Sequence, residues 1–160
     1  MNILFLCTGN SCRSIIAEAL LKSVAPAGIT VQSAGSKPAG YVHPRALSAL
    51  QKAGISIDSF HSKSWDTLSS QPDIIITLCA DAAGETCPAY LGTMAVRSHW
   101  GMPDPAKAQG GESAIEAAFD NTLAVLHKKI NALVKLLEQQ PRMKPELLQN
   151  ALDAIDNQFK

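Results

Sequence analysis

Two short runs constrain the fold of this chain more than any other feature: Ile3-Leu4-Phe5-Leu6 and Ile74-Ile75-Ile76-Thr77-Leu78 are apolar at almost every position. A strand with one wet face alternates apolar and polar residues, so an uninterrupted run predicts a strand covered on both faces, as in parallel sheets. Each run ends in a cysteine, Cys7 and Cys79. Between and after them lie helical patterns. Ile15, Ala19, Leu20 and Leu21 mark a helix from Ser14 to about Val24, halted by Pro26 and Gly28. Ile29-Thr30-Val31 reads as a second strand closed by Ser33-Ala34-Gly35, and His43 to Ala53 as a helix ended by Gly54. Met94-Ala95-Val96 reads as a fourth strand, and Glu112 to Gln139 as the longest helix, with Ile115, Phe119, Leu123, Leu126, Ile130, Leu133 and Leu137 spaced three or four apart. Strands alternating with helices predict a single-domain α/β three-layer sandwich around a four-stranded parallel sheet, doubly wound. At 160 residues the chain suits one domain, residues 1–140, followed after Pro141 and Pro145 by an extension, residues 141–160. In it Leu147, Leu148, Ala151, Leu152 and Ile155 mark an amphipathic helix from Glu146 to Phe159 that packs on the domain or, as the alternative, binds a partner.

In such sheets ligands sit beyond the carboxyl ends of the strands, where this pattern places Cys7, Cys79 and the loop from Gly101 to Gly111. The first of these segments reads Cys7-Thr8-Gly9-Asn10-Ser11-Cys12-Arg13-Ser14, joining a strand to a helix. A loop of small residues there can turn successive N–H groups inward as an anion nest, aligned with the positive end of the helix. Arg13 adds a planar fork suited to two oxygens of a tetrahedral oxyanion. The same donors are expected to lower the pKa of Cys7 and make it a nucleophile. No Gly-x4-Gly-Lys-Ser/Thr phosphate loop is present. Fourteen basic residues balance fourteen acidic ones, so there is no global field to hold nucleic acid or an anionic membrane, and an anion must be captured locally. The N-terminus has neither a basic n-region nor a secretory apolar segment, which points to the cytoplasm. Cysteines there stay reduced, so four of them suggest catalysis, redox chemistry or metal binding before structural disulfides.

Cys79 and Cys87 bracket a loop of small residues, Ala80 to Thr86, which suits a segment that swings to exchange a disulfide. The other readings are two unrelated buried thiols, or zinc, for which a Cys-x7-Cys interval is too wide. In His99-Trp100-Gly101-Met102-Pro103-Asp104-Pro105, the carboxylate of Asp104 is held between two prolines and is a candidate proton donor, although Asp between prolines is also a common turn.

Taken together, the Cys7–Ser14 loop, Ser33-Ala34-Gly35, Thr77-Leu78-Cys79, Cys87-Pro88, His99-Trp100-Gly101 and Asp104-Pro105-Ala106 resemble the arsenate reductases built on the low-molecular-weight protein tyrosine phosphatase fold, over residues 2–137. The resemblance implies that Cys7 attacks arsenate held by Thr8, Gly9, Asn10, Ser11, Cys12, Arg13 and Ser14 while Asp104 protonates the departing oxygen. It implies that Cys79 then attacks the Cys7 adduct and Cys87 takes over the disulfide, which thioredoxin, or glutathione with glutaredoxin, reduces. Asn10 and Ser14 would shape the loop, and Cys12 matches a cysteine dispensable for turnover. It implies that electrons come from external thiols with no bound cofactor or metal, and a monomer that binds neither nucleic acid nor membrane is expected. Three features depart from the family pattern. The Cys79–Cys87 interval is one residue longer than in the thioredoxin-coupled form, and the chain extends beyond the usual length after Leu137. Relatives that bind potassium use positions resembling Asn10, Glu18, Ser33 and an acidic residue, and Ser64 stands at the last, so no tight potassium binding is expected. Two alternatives remain open: a phosphotyrosine phosphatase, which needs Cys7, Arg13 and Asp104 alone, and a non-catalytic oxyanion-binding or redox-sensing module.

Overall fold

The computed structural model describes residues 1–79 and 94–160. Its centre is a sheet of four parallel strands, β1 (Asn2–Leu6), β2 (Thr30–Ala34), β3 (Ile74–Thr77) and β4 (Val96–His99), in the order β2-β1-β3-β4. The order reverses between β1 and β3, which places the switch point of the sheet at the ends carrying Cys7 and Cys79. The two apolar runs form β1 and β3, and because alternate positions face two sides that are both buried, nearly every position is apolar. Ile3, Phe5, Ile74 and Ile76 face the main core, whereas Leu4, Leu6 and Ile75 face a second cluster with Ala34, against which Trp65, Leu68 and Ala95 pack.

The main core is closed by helices α1 (Arg13–Val24), α2 (Pro44–Lys52), α3 (Glu112–Gln139) and α4 (Pro145–Gln158), which bury Ile16, Leu20, Leu50, Phe119, Leu126, Ile130, Leu133 and Leu152 against the sheet. Helix α2 begins where its sequence provides a cap: the Nδ1 of His43 accepts the N–H of Arg45 at 3.1 Å, and Pro44 supplies a preset φ at the first helical position. The extension forms α4, which lies on β4 and α3. Three side chains fix it there. Trp100 Nε1 donates to the carbonyl of Leu152 at 3.0 Å, Ser98 Oγ to Asp153 Oδ1 at 2.6 Å, and buried Lys129 Nζ to Asp156 Oδ1 at 2.6 Å.

The fourth strand is displaced from its expected place, running over Val96–His99 rather than Met94–Val96. Met94 is 90% exposed, and it is Val96 and Ser98 that turn inward while Arg97 and His99 face outward. An edge strand with one buried face alternates, and here one of its two buried positions is a serine, so no apolar run marks it.

Candidate active site

The segment from Cys7 to Cys12 crosses from β1 to α1, and its carbonyls are engaged on the outside. Thr8 O accepts Lys37 N at 3.0 Å, Gly9 O accepts Ala39 N at 2.8 Å, and Ser11 O accepts His43 N at 2.9 Å. In a trans peptide the N–H points opposite to the C=O, so the amides of Gly9, Asn10 and Cys12 face the concave side. Asn10 turns the chain with φ 45°, a left-handed conformation that asparagine tolerates better than most residues. It is pinned there: Nδ2 donates to Ser14 Oγ at 2.8 Å and Ser33 Oγ at 2.9 Å, and Oδ1 accepts Lys63 N at 2.8 Å. The cap residue of α1, Cys12, makes no side-chain cap, which suits a helix whose first N–H groups serve an anion.

The fit of the loop to β2 depends on Gly35. A Cβ at this position would collide with the carbonyl oxygens of Thr8 and Cys7, the latter at 2.6 Å. No side chain fits between the loop floor and the end of β2. The motif Ser33-Ala34-Gly35 carries this requirement in sequence, but its reason is visible only in the packing.

Cys7 and Cys79, delivered by different strands, pack against each other as reduced, buried thiols. Leu78 N bonds Leu6 O at 2.9 Å and so carries the β1–β3 pairing up to the two sulfurs. Thr8 N donates to Cys79 Sγ at 3.4 Å, placing that sulfur at an amide of the nucleophile loop. The expected lowering of the Cys7 pKa does not hold in this arrangement. Its hydrogen bond with the Cys79 thiol, followed by burial, pushes the pKa well up, against the downward pull of the Arg13 charge and the Gly9 N–H. The cup of donors is present, but a second thiol stands beside the first. Cys12, also buried, is pushed up to about 11, mainly by desolvation, and is a neutral thiol.

Arg13 is 11% exposed and clamped from the far side of the site, with Nη1 donating to Met102 O at 2.9 Å and Nη2 lying 3.8 Å from Asp104 Oδ2. Its Nε is buried without a hydrogen-bond partner, and a buried donor left unmet costs on the order of 1–3 kcal/mol. An oxyanion in the loop would meet it. Asp104 Oδ1 accepts Ala106 N at 3.0 Å, capping the short 3₁₀ turn Pro105–Lys107. The turn reading and the proton-donor reading of Asp104 are therefore compatible, since the same cap aims the other oxygen at Arg13. Segment 100–102 is fastened to the end of β3 by Trp100 N to Thr77 O at 2.8 Å and Met102 N to Leu78 O at 3.1 Å.

The structure thus gathers Cys7, Cys12, Arg13, Cys79 and Asp104 at one end of the sheet. Cys87 lies outside the described residues. Sequence reading missed the carbonyl of Met102, which has no side-chain signature, and Lys63, which reaches the loop from a segment without regular structure. Among the described residues, no three His, Cys, Asp or Glu side chains converge as a metal site, and no helix is long and apolar enough to cross a membrane.

Residues 2–143 match the family model for low molecular weight phosphotyrosine protein phosphatases. The chain is 39% identical over 134 residues to an arsenate reductase of Halalkalibacterium halodurans, covering 83% of this chain and 94% of that protein. It is 42% identical over 118 residues to an arsenate reductase of Bacillus subtilis, covering 73% of this chain and 83% of that one. Among solved structures, the thioredoxin-dependent arsenate reductase of Corynebacterium glutamicum superposes with a TM-score of 0.56 at 29% identity, over 81% of this chain and 61% of that chain. A Cys7–Arg13 loop at the switch point of a β2-β1-β3-β4 parallel sheet agrees with these matches, and the chain belongs to the low molecular weight phosphotyrosine protein phosphatase family.

Proposed function

We propose that the chain reduces arsenate to arsenite with electrons from external thiols. The observation that carries this reading is the contact of Cys7 with Cys79 at the rim of an oxyanion loop. Ester hydrolysis needs one sulfur, whereas reduction of As(V) by two electrons needs a second sulfur able to reach the first. Curated relatives at about 40% identity that bear the name arsenate reductase support the same reading.

Arsenate enters the loop against the inward amides and the unmet Nε of Arg13. Cys79 must first yield its place at the Thr8 amide, and doing so removes the strongest influence keeping Cys7 protonated. The Cys7 proton passes to an oxygen of the arsenate dianion, and the thiolate attacks arsenic. One oxygen leaves as water, with Asp104 supplying the second proton. Cys79 returns and attacks the Cys7 sulfur. A Cys7–Cys79 disulfide forms, the S–As bond breaks with its electron pair staying on arsenic, and arsenite departs. Cys87 then attacks Cys79, freeing Cys7 as a thiol and leaving Cys79–Cys87 for reduction by a dithiol of the thioredoxin class or by glutathione with glutaredoxin. This chemistry belongs in a reducing compartment, the cytoplasm. In this reading the chain works as a monomer and passes the electrons through its own sulfurs.

Cys79→Ser tests the reading. With thioredoxin, thioredoxin reductase and NADPH, arsenate-dependent NADPH oxidation should collapse in the variant, while slow hydrolysis of an aryl phosphate survives because the loop is intact. Arsenate turnover that persists in Cys79→Ser contradicts the relay.

A further inference from the structure

Glu18 is a buried acid that the chemistry above does not use. It lies on α1 beneath the nucleophile loop with its side chain 3% exposed, and an ionised carboxylate in such a place requires a positive partner. Two ammonium groups meet it: Lys63 Nζ at 3.4 Å from Oε1 and Lys22 Nζ at 3.6 Å from Oε2. Oε1 also accepts Ser33 Oγ at 3.0 Å, and Ser33 Oγ in turn accepts Asn10 Nδ2. Lys63 therefore holds Asn10 twice, through its own N–H on Oδ1 and through its ammonium by way of Glu18 and Ser33.

Asn10, Glu18 and Ser33 are the positions at which the family resemblance would put potassium. With the Lys63 ammonium seated on Glu18 they do not fit that ion. The position expected to be acidic is Ser64, whose Oγ instead caps a short turn by accepting Asp66 N at 3.1 Å, and the carboxylate oxygens of Glu18 already face ammonium groups. We propose that Lys63 is the built-in cation of this site: a positioning residue that keeps Asn10, and with it the Cys7 loop, in the oxyanion-binding shape and makes turnover indifferent to potassium. The inference rests on the Cys7 loop being the oxyanion site. A cavity of about 520 Å³, lined by Glu18, Lys22, Gln32, His61 and Lys63 among others, adjoins the carboxylate. Through it a free cation could reach Glu18 once the Lys63 ammonium is removed.

The test compares wild type, Lys63→Met and Lys63→Arg in potassium chloride and in choline chloride at equal ionic strength. Wild type and Lys63→Arg should give the same kcat/KM for arsenate in both salts and the same melting temperature. Lys63→Met should lose about tenfold in kcat/KM in choline, mostly through KM, and recover most of it in potassium. Its melting temperature should rise with potassium and not with choline. Should Lys63→Met fail to fold, Lys63→Gln carries the same comparison. A wild type activated by potassium, a Lys63→Met enzyme as active as wild type in choline, or a loss that potassium leaves unrepaired in both activity and melting overturns the proposal. If arsenate turnover is absent throughout but the melting response to potassium is confined to Lys63→Met, the functional reading fails and the built-in cation stands.

Discussion

The behaviour of single residues here is set by neighbours that the sequence does not place. Cys7 at a strand end, with Arg13 six positions on, is legible as a nucleophile in an anion loop, and that much the structure brings together. What the sequence could not give is the direction of its pKa, because Cys79 arrives from residue positions more than seventy away and its thiol outweighs the guanidinium. Cys79→Ala should therefore lower the Cys7 pKa, shifting the pH profile of Cys7 alkylation to lower pH and speeding it at neutral pH. An unshifted profile would show that burial alone sets it. Cys12 offers a second test. Its folded pKa is raised from the ordinary 9.0 to about 11, so the native state keeps a proton that the unfolded chain releases near pH 9. That contribution to stability is whole below pH 9 and is lost as pH climbs through about 11, roughly 2–3 kcal/mol for a shift of this size. Urea unfolding between pH 8 and 11 should lose correspondingly less stability in Cys12→Ala than in wild type.

At the scale of elements, what could be read from sequence follows burial symmetry. β1 and β3 are apolar on both faces and were recognisable to within a residue, as were α3 and α4 from their three-and-four spacing. β4 was misplaced because Ser98, one of its inward positions, is polar and finds its partner, Asp153, on a helix fifty-five residues later. Gly35 and Met102 act through backbone, one by leaving room and one by offering a carbonyl, so residue type announces little of either role. The packing of α4 on α3 depends on a buried ion pair, with the Lys129 side chain 1% exposed and Asp156 Oδ1 at 2.6 Å, beneath the Trp100 ring. Removing one partner strands the other charge, so Asp156→Ala should cost about 3–5 kcal/mol in urea unfolding. Replacing both residues by leucine should restore most of it, and a cost below about 1 kcal/mol for Asp156→Ala would mean that Lys129 finds water instead.

For the whole molecule, the sheet order joins these pieces into one device. The switch between β1 and β3 brings the sulfurs together, β4 delivers Asp104, and α4 braces β4 from behind through Trp100 and Ser98. The fold and the positions of Cys7, Arg13, Cys79 and Asp104 could be anticipated because they follow from strand ends in a parallel sheet. The support beneath them divides: Asn10, Glu18 and Ser33 are grouped by the family resemblance, whereas Lys63, which reaches them from a segment without regular structure, has no signature in the sequence. The central claim is that Cys79 is the sulfur that completes the two-electron transfer with Cys7. Its most direct test is a single arsenate turnover by the Cys87→Ser variant, which cannot pass the disulfide on, followed by alkylation and mass mapping of the linked peptides. A Cys7–Cys79 disulfide formed in step with one equivalent of arsenite is the predicted result, and a Cys7–Cys12 link, or arsenite released with both thiols still free, would contradict it.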